Sequence, residues 1–174
     1  MTFDLDRSIA VLERTPAALE RLLSGLPEEW IARNEGAGSW SPFDVVGHLI
    51  HGERTDWMPR ARLILETGEQ PAFTPFDRFA QFEASRGRPL GDLLEEFASL
   101  RRENLETLRG WRLGAADLTK TGTHPAFGRV TLSQLLAAWV VHDLGHIVQI
   151  SRTMANQYAE AIGPWKEYLM VIKR

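Results

Sequence analysis

Between Thr131 and about Ala161 the chain spells out one long helix whose start is fixed by its own side chains. Thr131 and Gln134 form a Thr-x-x-Gln capping box, in which the two side chains satisfy orphan amides of the first turn. Gly163-Pro164 stands behind the helix as a stop. Apolar residues recur at helical spacing in three further segments: Leu5 to Leu26, about Ser41 to Thr67, and Leu90 to Trp111. No alternation of useful length for a strand appears. Four amphipathic helices can bury their stripes only against one another, so the expected fold class is all-α, a four-helix bundle. At 174 residues the whole chain, 1–174, is expected to form a single domain with a real core.

Local signals refine this picture. Pro16 falls inside the first segment, and Thr15 as N-cap with Pro16 at the first helical position predicts a restart there. Ser41, Pro42 and Asp44 are a suitable opening for the second helix, Pro59 predicts a kink in it, and Gly68 suits its C-cap. Residues 69–89 hold Pro71, Pro75, Gly87 and Pro89 among Phe73, Phe76, Phe79 and Phe82. This reads as a long crossover between helices two and three, ordered in part by its aromatics. Its length exceeds ordinary connections and suggests a functional or interface role. A short amphipathic tail, Trp165 to Ile172, follows the last helix.

Composition narrows function mainly by exclusion. Hydrophobic residues make 44% and charged residues 25%, which is ordinary globular usage. A net charge of −3 recommends neither nucleic acid nor an acidic membrane as partner. No apolar run approaches the ~18 residues of a membrane span, and Met1 to Arg7 lacks the apolar core of a signal peptide. The expectation is a cytoplasmic protein. There is no cysteine, so any metal must be held by His, Asp, Glu or water.

His142 and His146 stand four residues apart in the most apolar part of the last helix. That spacing puts both rings on one face, one turn apart, where they can share a metal ion. On a helical wheel Leu135, Trp139, His142, His146 and Gln149 fall within roughly 80° of one another. The two rings therefore lie on or beside the inward stripe and need partners, either a metal or a buried carboxylate or carbonyl. His48 lies between Val45 and Gly52, nearly opposite the stronger stripe of Phe43, Val46, Ile50 and Trp57. Periodicity alone leaves His48 and His51 open as a third ligand. His124 sits in a Pro/Gly loop. Glu53 and Asp143 are candidate acceptors for imidazole N–H groups, with Asp143 expected to be an ordinary solvated charge. Trp40, Trp57 and Trp139 could line an apolar pocket, and Arg54, Arg60, Arg62 and Arg129 could meet an anionic substrate.

The run Trp40-Ser41-Pro42-Phe43-Asp44-Val45-Val46-Gly47-His48-Leu49, with Glu53 behind it, resembles the second-helix motif of the DinB superfamily. The run from His124-Pro125-Ala126-Phe127-Gly128 through His142-Asp143-Leu144-Gly145-His146-Ile147-Val148-Gln149-Ile150 resembles its last-helix motif. Order and separation match, and the likeness extends from about Leu5 to Trp165, with the 69–89 crossover departing most. The resemblance implies a three-histidine metal site in a four-helix bundle, with ligands His48, His142 and His146. It thus favours His48 over His51. It also implies a divalent metal ion, zinc or nickel first and iron next, and bundles that pair as homodimers. The four crossover phenylalanines are consistent with such pairing.

Three neutral imidazoles leave coordination positions open, which suits catalysis better than a purely structural role. The expected function is a metal-dependent enzyme acting on a small-molecule substrate with a low-molecular-weight thiol such as bacillithiol or mycothiol, of S-transferase or isomerase type. The alternatives are a metal-dependent hydrolase and a non-enzymatic metal-binding or stress-associated protein.

Overall fold

The structure, a computed structural model, describes residues 2–172. Helices dominate it. α1 (Leu5–Leu12) and α2 (Thr15–Leu23) form a first pillar and α4 (Pro42–Thr55) with α5 (Trp57–Thr67) a second, while α7 (Leu90–Gly110) and α9 (Leu132–Asn156) are each continuous. These four pillars make the expected bundle. Short helices α3 (Glu28–Ala32), α6 (Ala80–Ser85) and α8 (Ala115–Leu118) sit in the connections, with a β-hairpin of β1 (Thr121–His124) and β2 (Gly128–Thr131) before α9. No described helix is long and apolar enough to cross a membrane.

The helix starts follow their side chains. Ser41 Oγ accepts from the Asp44 amide at 3.2 Å, and the Asp44 carboxylate accepts from the Ser41 amide at 2.9 Å. Thr131 and Gln134 form the reciprocal pair that opens α9. The first pillar restarts near Pro16 as expected, but Thr15 is not its cap. Glu13 and Arg14 stay in the right-handed helical region, Arg14 occupies the N-cap, and Thr15 is already helical and buried. The second pillar breaks at Asp56 (φ −111°, ψ −73°), upstream of Pro59. Pro59 then sits in the first turn of α5, where a missing N–H costs nothing.

Three expectations are corrected. The 69–89 crossover contains α6, which packs on α4. The hairpin escaped notice because each strand has only four residues, too few for a periodic signal. α9 ends at Asn156, short of Ala161, and the tail continues as turns with a 3-10 helix at Gly163–Glu167. Asn156 and Gln157 turn their amides to Glu35 and the Trp30 carbonyl. Of the crossover phenylalanines, Phe73 is in the core and Phe76 lies against His48, while Phe79 and Phe82 are exposed and stack on each other.

The apolar interior falls into two parts. One is built around Leu12, Trp57, Leu105, Leu136 and Trp139, the other around Leu19, Leu49, Leu93, Phe97 and Ile150. Between them each long pillar contributes one buried charge: Glu53 on α4, Arg101 on α7 and Asp143 on α9. The α1–α2 break lies at the same level. It frees the Leu12 carbonyl, which accepts from Arg101 Nη1 at 2.7 Å.

Gly122 lets the hairpin lie directly on α5. A Cβ there would stand 2.7 Å from Ile64 Cγ1 and 2.8 Å from the Phe73 ring. Gly122→Ala is therefore expected to destabilise by roughly 1–3 kcal/mol through overpacking, lowering the melting temperature by about 5 °C. Thermal unfolding by circular dichroism measures this. An unchanged midpoint would mean that the hairpin tilts away freely.

Candidate metal centre

His48, His142 and His146 meet where α4 crosses α9. His48 Nε2 stands 3.0 Å from His142 Nε2, and His142 Nε2 stands 3.0 Å from His146 Nε2. One ring nitrogen from each residue lies within 4.8 Å of the other two. His48 is buried although it faces away from the apolar stripe of its helix, because Trp40, Phe76 and the two α9 imidazoles surround its ring. Aromatic rings hold the three imidazoles in place. Trp40 packs on His48 with centroids 4.8 Å apart, Phe76 meets it edge-on at 5.4 Å, and Trp57 meets His142 at 5.0 Å. His51 remains outside, half-buried against Phe76 with Nε2 3.4 Å from Thr55 Oγ1.

The protonation pattern fits a cation. His146 Nδ1 donates to Gln149 Oε1 at 2.8 Å, which leaves the Nε2 lone pair bare and aimed into the cluster. His142 Nε2 is common to both 3.0 Å contacts: with a proton it has no lone pair to offer His48, and without one its lone pair faces the bare lone pair of His146. A single divalent ion accepts all three. Two nitrogens about 2.0–2.1 Å from a shared zinc stand roughly 3.3 Å apart in tetrahedral geometry, close to the observed separations. Burial pushes His48 and His142 down to about 3, with the neighbouring imidazoles adding to the effect, and burial lowers His146 too. All three are neutral at pH 7, the form that ligates metal. The Nδ1 atoms of His48 and His142 are buried without a protein partner.

Glu53 and Asp143 do not orient the histidines. Arg101 donates to Asp143 at 2.6 and 3.0 Å and to Glu53 at 2.8 Å. Glu53 also accepts from Trp139 Nε1 at 3.0 Å and from Asn104 at 2.9 Å. Asp143 is fully buried, not solvated as its sequence context suggested. The two carboxylates and one guanidinium leave a net negative charge in the core behind the histidines, which favours a cation in the cluster.

On the open side lies a cavity of about 640 Å³ with the cluster in its wall. Trp40, Phe76 and Phe127 give it apolar surface, while Trp57 and Trp139 are core residues and do not line it. His124 also lines it. Its Nδ1 accepts from the Ala126 and Phe127 amides at 3.1 and 3.2 Å, so the neutral ring carries its proton on Nε2 and is a hydrogen-bond donor there. The arginines singled out from sequence are engaged elsewhere: Arg54 with Glu96, Arg60 with Asp56, Arg62 with Glu66 and Arg129 with Glu69. The arginine on the cavity is Arg78, in the crossover, for which the sequence offered no signal.

The helical architecture and the convergent imidazoles define a histidine-lined four-helix bundle with the donor set for one divalent metal. The family profile described as the DinB superfamily matches residues 11–150, and the chain belongs to that superfamily. Two curated relatives carry the name "Putative metal-dependent hydrolase". The one from Bacillus mycoides (strain KBAB4) is 25% identical over 149 residues, covering 84% of this chain and 83% of its own length. YfiT of Bacillus subtilis (strain 168) is 30% identical over 159 residues, covering 86% and 85%. The solved structure of YfiT, titled a "probable metal-dependent hydrolase with an unusual four-helix bundle topology", superposes with a TM-score of 0.75 at 26% identity, covering 87% of this chain and 86% of the other.

Proposed function

We propose that His48, His142 and His146 together hold one divalent ion and that the protein is a metal-dependent hydrolase of small molecules. The observation that carries this is the convergence of three neutral imidazole nitrogens beside an open cavity. The names of the two relatives support hydrolysis over the thiol transfer first expected from sequence. Three imidazoles without a thiolate suit zinc, nickel or iron. When bound, such an ion supplies Lewis-acid chemistry, acidifying a water or thiol and polarising a carbonyl. The chain's own groups do the rest. Gln149 holds the His146 proton at Nδ1, the flanking aromatic rings keep the imidazoles aimed at one point, and Trp40 and Phe76 shield the cavity wall beside His48 from water. His124 offers an N–H to a substrate oxygen.

Metal analysis of protein loaded with zinc or nickel should give one ion per chain, and His142→Ala should lose it. Loaded protein should hydrolyse members of a panel of small esters and amides without thiol, and His142→Ala should fall to background. Turnover that appears only with bacillithiol or mycothiol would restore the transferase. Equal turnover by parent and variant would remove the cluster from the chemistry. Full metal loading without turnover of any panel member would favour a binding role.

A further inference from the structure

The cavity beside the histidines is electrostatically one-sided. Among the described residues no aspartate or glutamate lines it, and Arg78 is the one permanently charged side chain that does. Among the described residues no carboxylate lies within ion-pair distance of Arg78, whereas Arg54, Arg60 and Arg129 each have one and Arg101 has two. The buried carboxylates Glu53 and Asp143 are occupied by Arg101 on the core side. The Arg78 guanidinium lies 5.5 Å from the Trp40 ring centre and 5.6 Å from that of Phe79. A guanidinium held by aromatic rings spends none of its N–H groups on them, and a guanidinium can take a carboxylate through two parallel hydrogen bonds. Trp40 packs on His48 and lies parallel to His146 at 6.4 Å, so one indole connects the arginine to the histidine cluster. A divalent ion on three neutral imidazoles would add two positive charges to the same space.

We propose that Arg78 is the specificity residue of this site: it docks the carboxylate of a small-molecule substrate whose reacting group lies over the histidine cluster. The proposal rests on the metal-dependent reading and deepens it by naming the substrate class, a carboxylate-bearing ester or amide. It also gives the long crossover its role, since that segment carries both Arg78 and Phe76 to the cavity.

Zinc-loaded protein is titrated calorimetrically with monohydroxamates of straight-chain dicarboxylic acids of increasing length, each paired with its neutral primary-amide counterpart. Acetohydroxamate is the probe for the metal alone. At one spacer length the carboxylate form should bind about tenfold or more tighter than its amide, the scale of a charge-assisted pair. Arg78→Gln should erase that preference while leaving zinc content and acetohydroxamate affinity unchanged, and Arg78→Lys should restore only part of it. A zinc-loaded protein that binds acetohydroxamate yet shows no preference at any length, or whose preference survives in Arg78→Gln, overturns the role of Arg78 alone. A protein that takes up no zinc and binds no acetohydroxamate overturns the metal reading, and this proposal with it.

Discussion

Arg101→Met is expected to lower the stability of the fold by about 3–5 kcal/mol, the range for breaking a buried ion pair from one side. The residue is 1% exposed, and its guanidinium lies 4.9 Å from the Phe97 ring centre and 5.1 Å from that of Trp139. Methionine can fill much of the volume but cannot serve the acceptors. Glu53 and Asp143 would be left as two buried carboxylates without a cation, and the Leu12 carbonyl freed by the α1–α2 break would lose its donor. For a chain of this size the loss corresponds to a fall of about 10 °C in melting temperature. Adding Glu53→Gln and Asp143→Asn to Arg101→Met removes both orphaned charges and should recover more than half of the loss. Glu53→Gln retains an acceptor for Trp139 and Asn104. Urea unfolding of the three proteins measures these differences. A single variant within about 1 kcal/mol of the parent would show that water reaches this layer. The consequence extends to the site, because Asp143 adjoins His142 in α9 and Glu53 shares α4 with His48.

The same layer shows what the sequence could and could not convey. Helix positions were legible because the apolar stripes and the Ser41 and Thr131 starts act within one turn, and the bundle follows from four such stripes. The His142–His146 pair was legible for the same reason. His48 was not, from periodicity. It faces away from its helix's apolar stripe, and only rings outside that helix, those of Trp40, Phe76, His142 and His146, bury it. Arg101 did leave a trace: it stands four residues after Phe97 and four before Leu105, a charge at a buried position of α7. Its partners could not be inferred, since Glu53 and Asp143 lie 48 and 42 residues away. Arg78 left no trace. Its place on the cavity depends on the path of the crossover, which is set by contacts of Phe73 and Phe76 instead of by local periodicity.

Metal-free protein is expected to lose stability steeply as the pH falls below about 6.5, and the cause is the histidine cluster. In the unfolded chain each imidazole titrates near 6.5. In the folded chain burial holds His48 and His142 down to about 3 and lowers His146 as well. Between those limits the unfolded state binds more protons than the folded one, so stability falls as pH falls, and above about 7 the contribution is flat. Each ring adds up to ~1.4 kcal/mol per pH unit well inside the window. The groups facing these rings do not reverse the sign. Arg78 and Arg101 stay cationic throughout and disfavour imidazolium. His124 is lowered too and acts in the same direction. Buried Asp56 is raised and acts oppositely. Urea midpoints of chelator-treated protein between pH 6.5 and 5 follow mainly the imidazoles, and the slope should approach two to three protons by the lower end, on the order expected from linkage. His142→Leu should reduce that slope by about one proton. Zinc should lift the whole curve by binding the folded state and should be released along with unfolding, because His48 and His142 resist protonation in the folded protein down to about 3. A midpoint that does not move between pH 6.5 and 5 would mean that the three rings are solvated and protonate freely in the folded protein, which would break the link between their burial and their neutral, metal-ready form.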